Sequence, residues 1–95
     1  MDIGKRRGPE PVGRAKTEAE KIATLTSRER EVIALMGEGL KDKQIAALLS
    51  VTDGKVRHHL ASAYEKLGAS DRLDLLLYAY HYGLARMPGG EGPSM

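Results

Sequence analysis

The sequence predicts a small all-α domain built from four helices. Between residues 25 and 86, apolar residues recur at helical spacing in four segments. Capping residues or glycines stand at the ends of these segments, where helices begin and stop. A chain of 95 residues can form one domain with a modest core. It has no cysteine, so disulfides and thiolate metal sites are excluded, which suits a reducing compartment.

The two ends of the chain differ in composition from the middle. Residues 1–24 are interpreted as a flexible basic arm or linker, in which 17–23 can form a short lead-in helix. Such an arm can follow DNA phosphates, or it can serve as a solubilising tail, and both readings stay open. Residues 87–95, MPGGEGPSM, are expected to be disordered. The folded domain is therefore predicted over residues 25–86.

The first two predicted helices are marked by their ends. Thr26 followed by Glu29 is a capping box, in which each side chain accepts a hydrogen bond from the backbone of the other. Gly39 is a glycine stop for that first helix. The second helix is short, from about Asp42 to Leu49. Its predicted buried residues are Ile45, Leu48 and Leu49.

A break of about three residues, 50–52, separates the second helix from the third. Thr52 is a good N-cap, and Gly68 ends the third helix, which spans about 53–67. Two helices joined by so short a turn form a helix-turn-helix geometry. An ordinary αα-hairpin in a bundle has the same spacing, so spacing alone leaves the function open.

The third helix separates its residues by angle, at roughly 100° per residue. One side is apolar, and we expect it to enter the core: Val56, Leu60, Ala63 and Leu67. The opposite side carries Gly54, Arg57, His58, Ala61 and Glu65. A cationic flank between the two sides carries Lys55, His59 and Lys66. A helix with one buried stripe and a basic, small-residue face suits the major groove of DNA.

The fourth helix begins after Ser70 or Asp71 and ends at Gly83. It is apolar around most of its circumference, so it needs two covering surfaces. One is the core, through Leu76, Ala79 and their neighbours. The other is assigned to a second subunit. The alternatives are a helix buried entirely in the monomer, or a strand suggested by alternating tyrosines. The predicted dimer residues are Leu73, Leu77, Tyr80 and Leu84.

Three segments together resemble the LuxR/GerE-type helix-turn-helix domain of bacterial transcription regulators. They are LTSREREVIALMGEGLKDKQIAALL (25–49), VTDGKVRHHLASAYEKLGASDR (51–72) and YAYHYGL (78–84). The resemblance implies a four-helix unit whose third helix enters the major groove and whose fourth commonly pairs two copies. By position it implies base contacts by Arg57, His58 and Ala61. It implies phosphate contacts by Lys41, Lys43, Thr52, Lys55, His59 and Lys66.

Some of these positions leave alternatives open. His58 can read a base edge or simply lie in the groove, and His59 can donate to a phosphate or satisfy core polar groups. Lys41 stands where the family usually has a Ser or Thr cap, and Lys55 where it usually has Thr. Both replace a hydroxyl with a cation, so Lys41 loses the cap and both lysines add sequence-independent attraction to phosphate. Gly54 weakens the third helix, but its missing side chain would allow close approach to the DNA backbone.

The sequence therefore predicts a regulator that binds double-stranded DNA as a homodimer on an inverted repeat, with RNA polymerase or a partner regulator as further candidate partners. The rival hypothesis is an interaction module that pairs with a full-length regulator without specific DNA binding. An enzyme is not expected, because no catalytic constellation can be placed on one site. No metal, other cofactor, secretory signal or membrane span is predicted, and the expected location is the cytoplasm. Family members often carry a sensory domain, so a stand-alone regulator and a fragment both fit.

Overall fold

The computed structural model describes residues 16–87, which form five α-helices and no strand. The predicted all-α fold is confirmed. Helix α1 occupies the segment in which a short lead-in helix was possible, and α2 to α5 correspond to the four predicted helices. The basic arm before residue 16 and the tail after residue 87 lie outside the described residues. The helices are α1 Glu18–Ala23, α2 Ser27–Gly37, α3 Asp42–Leu49, α4 Asp53–Leu67 and α5 Arg72–His81.

Helix α2 begins at the predicted capping box. The Thr26 hydroxyl accepts from the Glu29 N–H at 3.0 Å, and the Glu29 carboxylate accepts from the Thr26 N–H at 2.9 Å. The helix stops as Gly39 adopts a φ of +96°, a conformation that glycine reaches without steric cost. The Leu40 N–H then donates to the Leu35 carbonyl at 3.3 Å. Both predicted ends of this helix are confirmed.

Helix α3 has the predicted limits but a different buried face. It buries Ile45 and Ala46, and Leu49 is half-buried. The expectation that Leu48 is buried is wrong, because this side chain is 63% exposed. At 100° per residue Leu48 lies roughly 200° from Ala46. Packing of the small Ala46 inward therefore turns Leu48 towards solvent.

The turn between α3 and α4 is held by its backbone and by one hydroxyl. Ser50 adopts the left-handed conformation with φ 59°, which is uncommon for a residue other than glycine. The Val51 N–H donates back to the Ala46 carbonyl at 3.0 Å. Thr52 is the N-cap of α4, and its hydroxyl accepts from the Lys55 N–H at 3.0 Å. The tight turn fixes the direction in which α4 leaves α3.

Helix α4 lies at the centre of the domain and contacts α1, α2 and α3. As predicted, its core stripe is buried: Val56, Leu60, Ala63 and Leu67. Because one full face of this helix is removed from water, its opposite face is fixed towards solvent. That constraint decides which side chains can meet a ligand.

Helix α5 packs against α2. It buries Leu75 and Ala79, whereas Leu76, expected in the core, is half-buried. The Tyr80 hydroxyl donates to the Gly37 carbonyl at 2.7 Å. At the start of α5, the Arg72 guanidinium lies 2.9 Å from an Asp42 carboxylate oxygen, which connects α5 to α3. The orientation of α5 is thus fixed at both ends.

Candidate nucleic-acid interface

The exposed face of α4 is the centre of the candidate site. Arg57, His58 and Ala61 are all exposed, on the side opposite the buried stripe. The structure therefore brings the three predicted base-contacting residues onto one solvent-facing surface. A guanidinium, an imidazole and a methyl group offer hydrogen-bond donors and one apolar contact, which are the groups that read base edges.

Cations and donors surround the N-terminal end of this face. An open groove of about 570 Å³ is lined by Val51, Thr52, Gly54, Lys55 and His58. It brings together two predicted phosphate-contacting residues, Thr52 and Lys55, and one predicted base reader, His58. Two further lysines with predicted phosphate contacts, Lys41 and Lys43, are exposed at the start of α3.

His58 and His59 point in different directions from adjacent positions. Their ring centroids are 6.0 Å apart, with His58 exposed and His59 half-buried. Burial lowers the pKa of His59, and the nearby positive charge of Lys55 lowers it further. The imidazole of His59 therefore favours its neutral form, which can still donate one hydrogen bond. Its half-buried position is compatible with both roles predicted for it.

Comparison with known proteins settles the family. A family model described as "Bacterial regulatory proteins, luxR family" matches residues 23–79. The chain belongs to this family. The LuxR-type match covers the end of α1, all of α2 to α4 and most of α5. The matched domain is a regulator domain and not a catalytic one.

Relatives of the LuxR-type domain carry regulatory names. The chain is 39% identical over 64 residues to transcriptional regulatory protein LnrK of Bacillus subtilis (strain 168), covering 67% of this chain and 29% of that protein. It is 37% identical over 65 residues to probable transcriptional regulatory protein SgaR of Hyphomicrobium methylovorum, covering 68% and 30%. It is 32% identical over 71 residues to response regulator protein VraR of Staphylococcus aureus (strain Mu3), covering 75% and 34%. The chain thus spans about a third of the length of these relatives.

One cation of the LuxR-type domain is held inside the fold. The Lys66 ammonium lies 2.8 Å from the Glu29 carboxylate and donates to the Thr24 carbonyl at 3.0 Å. Burial alone would raise the pKa of Glu29, but hydrogen bonds from Lys66, the Thr26 backbone and Ser62 lower it to about 2. The predicted phosphate contact competes with this ion pair for the ammonium of Lys66, and the ion pair gives the residue a structural role. Sequence reasoning missed that role because it identified Glu29 only as a cap.

The four predicted dimer residues fall into two groups. Leu73 and Leu77 are 62% and 57% exposed. Tyr80 and Leu84 are half-buried, and the Tyr80 hydroxyl is hydrogen-bonded within the domain. The structure therefore leaves two of the four available as an apolar surface and packs the other two partly against the core.

The described part of the chain shows no sign of a metal centre. Within residues 16–87, no group of three His, Cys, Asp or Glu side chains is placed to hold a metal ion. None of the helices in this range is both long and apolar enough to cross a membrane.

Proposed function

We propose that this LuxR-type domain binds duplex DNA sequence-specifically, with α4 in the major groove. One observation carries the proposal: the face of α4 opposite its buried stripe exposes Arg57, His58 and Ala61 together. The major groove admits an α-helix, and each base pair presents there a distinct pattern of donors, acceptors and methyl groups. A helix fixed on one face by the core can present the other to this pattern in one orientation.

Each side chain on this face has a role that follows from its chemistry. The Arg57 guanidinium can donate two parallel hydrogen bonds to O6 and N7 of guanine. The Ala61 methyl can contact a thymine methyl while it leaves room for the helix to approach. His58 lines the groove at the start of α4, so its ring nitrogens can reach a base edge there.

Phosphate contacts position the helix without reading sequence. We assign them to Lys55, Thr52 and His59 on α4 and to Lys41 and Lys43 at the start of α3. The exposed lysines carry positive charges, and the Thr52 hydroxyl, which accepts from the Lys55 N–H, keeps its own O–H free to donate. Together they flank the reading face on its N-terminal side.

The same proposal extends to assembly and regulation. Leu73 and Leu77 on α5 present exposed apolar area that a second copy would cover. A two-fold pair would bind an inverted repeat with half-sites about one helical turn apart. The regulatory names of the relatives support control of transcription, with the cytoplasm as the place of action and RNA polymerase or a partner regulator as a further contact.

Selection of binding sites from random duplex DNA tests this function. We expect the purified protein to enrich one motif, arranged as two inverted halves, and footprinting to show both halves protected. The selection should be run at about 0.05 and 0.2 M salt, because phosphate contacts alone weaken steeply over this range. Recovery of no motif at either salt concentration would contradict specific binding and favour the rival interaction module.

A further inference from the structure

An acid, Glu65, stands at the centre of the exposed face of α4. At roughly 100° per residue, its direction is about 170° from the mean direction of the buried stripe. It follows His58 by two helical turns and lies within about 20° of it, and it lies about 40° from Ala61. Its side chain is exposed. A carboxylate therefore projects from the middle of the surface that meets DNA in the proposed function.

An open groove of about 390 Å³ connects Glu65 to the predicted base readers. It is lined by His58, Ala61, Ser62, Tyr64 and Glu65. His58 also lines the groove at the start of α4, so the two grooves adjoin along the same face. A rise of about 1.5 Å per residue places Glu65 about 12 Å beyond Arg57 along the helix. Since base pairs of B-DNA are about 3.4 Å apart, Glu65 would face a base pair about three or four steps from the one that Arg57 reads.

Helix α4 offers the Glu65 carboxylate no ionic partner. Side chains that pair along a helix stand three or four residues apart. At these distances from Glu65 the chain has Ala61, Ser62, Gly68 and Ala69, and none of them is a cation. The carboxylate of Glu65 is therefore open to a ligand that supplies a hydrogen-bond donor.

We propose that Glu65 determines specificity by accepting a hydrogen bond from N4 of a cytosine in the major groove. The inference rests on the proposed function and names one base of its site. An ionised carboxylate can only accept, and the like charge of the DNA phosphates repels it, so base donors are its favourable partners. Cytosine presents the N4 donor, whereas guanine presents two acceptors and adenine an acceptor beside its donor. The carboxylate therefore matches cytosine best.

Binding-site selection with Glu65→Gln tests this contact. We expect wild type to select cytosine at one position of each half-site, about three or four base pairs from the guanine of Arg57. A glutamine amide can pair with N6 and N7 of adenine, so Glu65→Gln should select adenine there and leave the rest of the motif unchanged. Glu65→Ala should select no base at that position. Glu38→Gln, which removes an exposed acid outside α4, should keep the cytosine.

Two results would overturn the role of Glu65. In the first, the motif selected by Glu65→Gln is the same as that of wild type. In the second, Glu65→Gln binds every duplex more tightly by one common factor, which would show that the carboxylate only repels phosphate. A motif that still depends on Arg57 would in both cases leave the proposed function standing. If wild type selects no motif at all, the proposed function fails and the contact of Glu65 falls with it.

A cytosine analogue that lacks the N4 amino group isolates the hydrogen bond itself. With this analogue at the selected position, we expect wild type to lose about tenfold in affinity, within the range of one specific base contact. Glu65→Ala should lose less than about threefold, because it has no acceptor there. Both proteins meet the same duplex, so any weakening of the base pair cancels in the comparison. Equal losses in the two proteins would overturn the contact with N4.

Discussion

The ammonium of Lys66 and the carboxylate of Glu29 form an ion pair at 2.8 Å between the last turn of α4 and the first turn of α2. The same carboxylate closes the capping box by accepting from the Thr26 N–H at 2.9 Å. The buried carboxylate of Glu29 therefore caps the start of α2 and also binds Lys66 in the last turn of α4. Because α4 is the proposed reading helix, this ion pair contributes to the orientation of the face that meets DNA.

Acid should weaken the fold through Glu29. Its pKa in the folded state is about 2, below the ordinary value of 4.5. A carboxyl whose pKa is lowered by folding stabilises the protein above about pH 4.5, and this contribution is lost as the pH falls towards 2. We expect a loss on the order of 3 kcal/mol across that window in urea unfolding followed by circular dichroism. Glu29→Gln should flatten the dependence, and Glu31→Gln, at an exposed site, should keep it. An unchanged slope in Glu29→Gln would contradict the assignment.

Substitutions at Lys66 and Lys55 should change different properties: the first should lower stability and the second should weaken DNA binding. Lys66→Met removes the partner of a buried carboxylate, so we expect the free energy of unfolding to fall by roughly 2 kcal/mol. The salt dependence of DNA affinity should be the same in Lys66→Met as in wild type. Lys55→Met removes an exposed cation, so stability should hold while the slope of log affinity against log salt falls by about 1. If Lys66→Met lowered that slope instead, its ammonium would contact phosphate.

The faces of α4 could be predicted from the sequence because they depend on spacing within fifteen residues. The Glu29–Lys66 pair could not, because its members are 37 residues apart and meet only once α2 and α4 have packed. The burial of Leu48 was predicted wrongly for a related reason. Periodicity in a short helix allows several stripes, and tertiary packing selected the one through Ala46.

Replacing Gly54 should raise the stability of the free protein and lower its affinity for DNA. A Cβ added there would lie 3.8 Å from the Arg57 guanidinium and 3.9 Å from the Thr52 hydroxyl, so it fits without displacement. We expect Gly54→Ala to stabilise the free protein by up to about 1 kcal/mol, because alanine favours a helix. DNA affinity should fall, since Gly54 lines the groove at the start of α4. Thermal unfolding and a binding titration check both effects.

Gly39→Ala provides the matched control for that substitution. It adds the same methyl in open space but at a φ of +96°, so it should destabilise the protein. If Gly54→Ala raised stability and bound DNA as tightly as wild type, close approach of the DNA backbone at Gly54 would be contradicted.

Close packing of the segment after α5 on α2 should require a glycine at position 37. A Cβ at Gly37 would overlap the Cβ of Ala85, which is buried against it. We expect Gly37→Ala to cost about 1–3 kcal/mol in chemical unfolding. The double variant Gly37→Ala with Ala85→Gly restores the space and should recover most of that loss. No recovery would show that the methyl of Ala85 is not the obstacle.

The two sides of α5 show how far an apolar pattern can be interpreted. The sequence predicted that this helix needs two covers, and the structure leaves Leu73 and Leu77 exposed as one of those surfaces. The sequence pattern predicted Tyr80 and Leu84 on that surface too, whereas both are half-buried. The Tyr80 hydroxyl reaches the Gly37 carbonyl, a contact across 43 residues that no local pattern indicates.

The central claim is that α4 reads bases through Arg57, and a binding cycle tests it most directly. DNA affinity is measured for the selected site and for the same site with one guanine replaced. The proteins compared are wild type, Arg57→Ala and the control Arg86→Ala, which removes an exposed charge outside α4. We expect wild type and Arg86→Ala to discriminate the two sites by about 1–3 kcal/mol and Arg57→Ala to lose that discrimination at one guanine. Full discrimination by Arg57→Ala at every guanine of the site would contradict the account.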